Sequence, residues 1–134
     1  MSVPGAITGD VKFACAMNEA DPRLTRVNSN DPELEQLAAE NCRNIGASHV
    51  FVIMIQGAWP INVLNSIKLL PHVASIYGAT ANPCKVIVAE VDIEGVKGRA
   101  VLGFADGQSV TKIETDDQRT ERRELVKRIG YVLG

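Results

Sequence analysis

Apolar positions along this chain fall into runs whose spacing separates strands from helices. Val11-Lys12-Phe13-Ala14-Cys15-Ala16-Met17 reads as a strand, and Asp21-Pro22 turns the chain into Arg23-Leu24-Thr25-Arg26-Val27, the second arm of a hairpin. Asp31 before Pro32 is a cap followed by the residue best suited to the first helical position. Leu34, Leu37, Ala38 and Ile45 then recur at helical spacing until Gly46. His49 to Ile55 is a continuous apolar run rich in β-branched residues, which predicts a strand covered on both faces at the centre of the sheet. Pro60 opens a second helix with Val63, Leu64 and Ile67 on its inner side, and Pro71 stops it. Three more strands are predicted at Val73–Ala79, Lys85–Val91 and Arg99–Phe104, separated by Asn82-Pro83 and the Glu94-Gly95 turn. The last helix starts at Thr115-Asp116-Asp117-Gln118, which has the spacing of a capping box, and ends at Gly130. The pattern predicts a single α+β domain over residues 1–134: a mixed, mostly antiparallel β-sheet of about six strands with three helices.

Composition narrows the function classes. A chain of 134 residues with 46% hydrophobic positions can build one globular core. Its net charge of −2 is dispersed, with a pI near 5.7, and no basic stripe marks a nucleic-acid partner. The longest apolar run is too short to span a bilayer, so no membrane contact is expected. Cys15, Cys42 and Cys84 are odd in number and far apart, which favours buried free thiols in a reducing cytoplasm over a disulfide or zinc framework.

Candidate chemistry concentrates in two asparagine-bearing segments, each at the end of an apolar run: Trp59-Pro60-Ile61-Asn62-Val63-Leu64-Asn65 and Ala79-Thr80-Ala81-Asn82-Pro83. Neutral amides read a nucleobase edge or a phosphate without adding charge, and a helix start supplies free N–H donors. Each residue also has a plain structural reading. Asn62 and Asn65 can satisfy helix-start donors, Trp59 can anchor the core instead of stacking on a ligand, and Asn82-Pro83 can be an ordinary turn. Glu19, Glu90 and Asp106 end or follow apolar strands, where a carboxylate is either solvated or poised as a base or magnesium ligand. Arg26 is either a phosphate clamp or an edge arginine facing water. His49 and His72 lack metal-ligand neighbours and take structural roles. The charged run Asp116–Arg128 reads as the wet face of the last helix, with Glu124 and Arg128 spaced for an ion pair. The familiar phosphate-binding motifs, G-x-x-x-x-G-K-[ST] and G-x-G-x-x-G, are absent.

Several contiguous words then occur in one order: Asn18-Glu19-Ala20, Ile45-Gly46-Ala47 with His49-Val50-Phe51-Val52-Ile53, Pro60-Ile61-Asn62-Val63-Leu64-Asn65, Ala79-Thr80-Ala81-Asn82-Pro83, Val86-Ile87-Val88-Ala89-Glu90, Gly98-Arg99, Asp106-Gly107 and Ile129-Gly130-Tyr131. In these the chain resembles the adenosine-specific kinases, small archaeal and bacterial proteins also described as binding AMP. The resemblance implies an α+β fold, an adenosine or AMP ligand, and a homo-oligomer, a trimer or hexamer. In its enzyme version adenosine plus ATP gives AMP, with Mg2+ accompanying ATP and no other cofactor. Glu90 or Asp106 is then the catalytic carboxylate, and Glu19, Arg26, Trp59, Asn62, Asn65, Thr80, Ala81 and Asn82 contact the ligand. The alternatives are a protein that binds or senses AMP without turnover, and an assembly subunit whose asparagines are structural. Trp59 replaces the family's usual Phe or Tyr, and Gln108-Ser109-Val110 departs from its Phe-Ser-Pro-like continuation. The family also extends upstream of Val3-Pro4-Gly5, so this sequence is expected to be short at its N-terminal end: either the start is misplaced or the chain is naturally truncated, which leaves an apolar sheet face or edge open, or a neighbouring subunit covers the gap.

Overall fold

Small side chains decide how closely the first helix sits on its sheet. In the computed structural model, which describes residues 11–128, β1 (Lys12–Asn18) pairs antiparallel with both β2 (Thr25–Ser29) and β3 (Phe51–Gln56). Helix α1 (Pro32–Ile45) packs across this three-stranded sheet. The contact is made by fully buried Ala14 and Ala16 of β1 against Ala38 and Cys42 of α1, with Val27, Leu34, Val52 and Met54 around them. Alanine at these positions lets helix and strand backbones approach closely, and it also leaves the core small. Cys42 is the largest fully buried side chain among the described residues.

Local signals set the ends of α1 as its sequence predicts. The Asp31 carboxylate accepts the Leu34 N–H at 3.0 Å, Pro32 follows it, and Gly46 closes the helix in the left-handed region at φ 71°, its N–H donating to the Cys42 carbonyl. Helix α2 (Pro60–Lys68) starts at its proline and ends before Pro71. Helix α3 (Asp116–Arg128) opens on the expected capping box, with Thr115 N–H donating to Gln118 Oε1 at 2.9 Å and Gln118 N–H to Thr115 Oγ1 at 3.3 Å. It buries no side chain, so its charged run is a solvated face, and Glu124 pairs with Lys127 at 3.9 Å rather than with Arg128. The expected helix end at Gly130 lies outside the described residues.

The second sheet is a long two-stranded ribbon, β4 (Cys84–Ile93) and β5 (Val96–Asp106), joined at Glu94-Gly95. Both turn residues have positive φ, 51° and 81°, as a tight hairpin turn requires. Pairing is regular from Ile93↔Val96 to Val88↔Val101, then shifts to Ile87↔Gly103, leaving Leu102 as the extra residue of a β-bulge.

The α+β class and the three helices match the expectation, whereas three details of the strands differ. The five strands lie in two separate, wholly antiparallel sheets. β1, not the apolar run of β3, is the central strand, because it pairs on both edges while β3 pairs only with β1; α1 packs on the Val52 and Met54 side of β3. Val73–Ala79 forms no strand; its Gly78 lies against the ring of Phe104, so the segment packs on the ribbon instead of pairing with it. Of the three free cysteines, Cys42 is buried and Cys15 half-buried, but Cys84 is exposed. Burial is the first reason that the Cys42 thiol is pushed up to about 11, and it raises Cys15 as well, so neither is a reactive thiolate.

Asn18 ends β1 almost fully buried, and its side chain has every group occupied. Its amide donates to the carbonyls of Cys42 and Ala47, both at 2.9 Å, and its Oδ1 accepts the Thr25 hydroxyl at 2.7 Å. Replacing Asn18 with Ala strands the Ala47 carbonyl and the Thr25 hydroxyl and leaves the Cys42 carbonyl with the Gly46 N–H alone, and should lower unfolding free energy by about 2–3 kcal/mol in urea titration. A loss below about 0.5 kcal/mol would show that these groups find other partners. A second expectation concerns acid. The Leu34 N–H first, and Lys12 as well, hold the Asp31 carboxyl below its ordinary 3.8; hydrogen bonds from Arg122 and then Arg119 hold Glu114 below 4.5. Lowered folded values stabilise above the ordinary range and are lost as pH falls through them. Protection factors of the amides in the first turns of α1 and α3, corrected for intrinsic exchange, should therefore fall below about pH 4, and Glu114→Gln should remove the α3 part of that dependence.

Candidate functional site

A two-residue turn pairs residues equidistant from it, so a regular ladder running out from Glu94-Gly95 would set Asp106 opposite Pro83. The bulge at Leu102 moves Asp106 opposite Cys84 instead. Faces alternate along a strand, so this one-residue shift moves Phe104 and Asp106 together onto the face that carries Lys97 and Arg99. That is the face on which the segment before β4 lies. The backbone of Gly78 rests on the Phe104 ring so closely that a Cβ there would come within 2.4–2.6 Å of it. Thr80 and Asn82 follow directly.

The result is a polar cluster at one end of the ribbon. Thr80 Oγ1 donates to Asp106 Oδ1 at 2.5 Å, and Asn82 Nδ2 donates to the same oxygen at 3.3 Å. Thr80 Oγ1 in turn accepts the Asn82 backbone N–H at 2.9 Å, and Gly107 N–H donates to the Pro83 carbonyl at 2.9 Å. Asp106 is thereby oriented by two donors on one oxygen, and its Oδ2 makes no hydrogen bond among the described residues. Asn82 keeps Oδ1 and one amide hydrogen free, an acceptor and a donor side by side on an exposed side chain. Ala81 is exposed between them, small enough to let another molecule reach the backbone.

The other sequence-selected residues stand elsewhere. Glu90 lies six residues along β4 from Cys84, about 20 Å from that end at the rise of an extended strand. It is held by Arg99 at 3.3 Å and Lys97 at 3.7 Å. Glu19 and Arg26 form an ion pair of 3.1 Å at the β1–β2 hairpin. Asn62 is exposed, and its Oδ1 accepts the Trp59 N–H at 2.9 Å across the first turn of α2. Asn65 is exposed, and its side chain makes no hydrogen bond among the described residues. Trp59 is 52% exposed, which rules out the core-anchor reading and leaves an aromatic face open to solvent. Among the described residues no hydrogen bond or ion pair joins Trp59, Asn62 or Asn65 to the Thr80–Asn82–Asp106 cluster.

A family model described as adenosine specific kinase matches residues 5–132. The chain belongs to the adenosine specific kinase family. In three dimensions it is similar to the crystal structure of the PH1918 protein from Pyrococcus horikoshii OT3, with 59% sequence identity and a TM-score of 0.85 over 96% of this chain and 76% of that one. No curated protein matches the chain. For an adenosine specific kinase, the described residues contain no set of three His, Cys, Asp or Glu side chains placed to hold a metal ion, and no helix long and apolar enough to cross a membrane.

The residue that sequence reasoning undervalued is Arg99. Its guanidinium donates to the Asn44 carbonyl at 2.6 Å while pairing with Glu90, so it ties the ribbon to the end of α1. The hairpin turn itself carried the signal, since residues equidistant from Glu94-Gly95 include Glu90 with Arg99 and Asp92 with Lys97.

Gly78→Ala should displace the 78–83 segment from Phe104 without removing any polar group. The expected readout is roughly tenfold faster hydrogen exchange at the Asn82 and Gly107 amides, from a local loss of about 1–2 kcal/mol, with the mid-strand amides of β4 unchanged. Unaltered exchange at both amides would show that the cluster is held without this contact.

Proposed function

We propose that the chain binds adenosine or AMP at the Thr80–Asn82–Asp106 cluster and, as an enzyme, phosphorylates adenosine with ATP. The observation that carries this reading is the oriented Asp106 carboxylate: one oxygen is fixed by Thr80 and Asn82, and the other is unpartnered beside an amide with a free donor and acceptor. A carboxylate oxygen suits a ribose hydroxyl, and the Asn82 amide matches the adjacent donor and acceptor of an adenine edge. Oδ2 of Asp106 can also accept the proton of a 5′-hydroxyl as it attacks a phosphoryl group, the role of a positioned base in such transfers. Where Mg2+ accompanies ATP, that same oxygen is the protein ligand at hand, since Mg2+ commonly takes one carboxylate together with substrate phosphates. The proposal gives this role to Asp106 ahead of Glu90, which stands some 20 Å along the ribbon between two cations. Asn65 and the exposed Trp59 remain ligand candidates on α2, and Arg26 a phosphate candidate in exchange for Glu19. The chain is further proposed to work as a cytoplasmic homo-oligomer.

A second reading, AMP binding without turnover, has its own support. Arg26, Arg99, Arg119 and Arg122 are all engaged by carboxylates, and no lysine or arginine among the described residues bonds into the cluster. A triphosphate would therefore find no ready counter-charge there.

Calorimetry with adenosine, AMP, ATP and GMP, followed by a coupled phosphorylation assay, separates the two. Adenine-selective binding with turnover is expected for the kinase, and binding alone for the sensor. Asn82→Ala should weaken AMP by about tenfold, roughly 1.4 kcal/mol. Asp106→Asn, which keeps the shape but not the base, should abolish turnover while binding persists. Absence of heat with every adenine compound, or full affinity in Asn82→Ala with the fold intact, would remove the cluster from the function.

A further inference from the structure

Residues opposite one another in the β4–β5 ladder share a face, and successive pairs alternate. One face carries the Glu90–Arg99 and Asp92–Lys97 pairs and Phe104, and it is turned toward the rest of the chain by Arg99 on the Asn44 carbonyl and by Phe104 on Gly78. The opposite face bears Ile87, Val91 and Ile93 from β4 with Val96, Gly98 and Gly103 from β5, and carries no charge beyond Lys85 at its end. These aliphatic side chains are 48%, 43%, 60% and 52% exposed for Ile87, Val91, Ile93 and Val96. A Cβ placed on Gly103 would meet nothing within 4 Å. An isolated two-stranded ribbon with a bare apolar face is marginal in water and needs a covering layer.

The exposed area indicates how much covering the chain accepts. Its total surface is 10389 Å², whereas a folded monomer of 14.4 kDa exposes about 6,800 Å². Assigning the sixteen residues outside 11–128 the full area of extended chain, about 2,500 Å², leaves about 7,900 Å² for residues 11–128, against about 6,200 Å² for a folded chain of that size, an excess of about 1,700 Å². That is about twice the 800 Å² one partner contributes to a standard interface.

We propose that the Ile87–Val91–Ile93–Val96 face of the ribbon is the contact surface for a second copy of this chain, the two ribbons packing face to face. An uncharged face can meet its own two-fold image without setting like charges together, which a charged face cannot do. Ile93 already covers Gly98, whereas the open space over Gly103 gives room for a partner's isoleucine to interdigitate at ordinary sheet-packing distance. The inference names the surface behind the proposed homo-oligomer and stands independently of the ligand reading.

Sedimentation equilibrium of the full chain, from micromolar to several hundred micromolar, tests it. The wild type should associate. Ile93→Lys and Gly103→Lys should each weaken association by about a hundredfold or more, because each buries an unpaired charge, while circular dichroism stays unchanged. Gly103→Lys is the safer variant for folding, since its side chain enters open space in the single chain. Ile113→Glu, at a still more exposed isoleucine off the ribbon, should leave association intact. A wild type that is monomeric throughout, association unaffected by both ribbon variants, or equal disruption by Ile113→Glu would each overturn the proposal.

Discussion

The carbonyl groups that α1 leaves unpaired at its C-terminal end are where the separate parts of this molecule are joined. Cys42 O receives both the Gly46 N–H and the Asn18 amide, so the end of the helix is fixed to the end of the central strand. Ala47 O takes the second Asn18 hydrogen, which fixes the direction of the chain as it leaves for β3. Asn44 O takes the Arg99 guanidinium, and through it the ribbon is attached. A helix C-terminus favours such cationic donors, because its free carbonyls and macrodipole both carry negative charge. Gly46 is needed twice over: its φ of 71° is strained for other residues, and a Cβ would stand 3.0–3.1 Å from the Arg99 side chain.

This arrangement matters because hydrophobic burial is thin. The described core is built mainly of alanines and one cysteine on the α1 sheet, with Val63 and Ile67 of α2, while large aliphatic residues of the ribbon lie at the surface. Polar anchoring therefore carries more of the specification of shape here than in a domain with a large core. The candidate site follows the same logic. Its residues are positioned by a strand register, a bulge and the close packing of one glycine on one ring, and its polar groups then orient each other.

What was legible in the sequence was set by local chemistry. Asp31-Pro32, Gly46, Pro60, the Glu94-Gly95 turn and Thr115–Gln118 act within a few residues of themselves, and each does in space what its type predicts. What was not legible depends on partners distant in sequence. Val73–Ala79 has the composition of a strand but packs on the Phe104 ring through Gly78 instead of pairing with an edge. The apolar run of β3 suggests burial on two sides, while α1 covers one. Asn62 and Asn82 looked alike as candidates; the first holds a helix start through its Oδ1, and the second is tied to Asp106, which the Leu102 bulge brings to it. No local rule places that bulge.

The central claim is that an adenine nucleotide is met at the end of the ribbon, by residues that register and packing bring together. Backbone amide resonances recorded while AMP is titrated into the chain test this most directly. The account predicts the largest perturbations at Thr80, Ala81, Asn82, Asp106 and Gly107, with the Glu90–Arg99 region little changed. Perturbations centred on Glu90 and Arg99, or on Glu19 and Arg26 with the cluster silent, would contradict it.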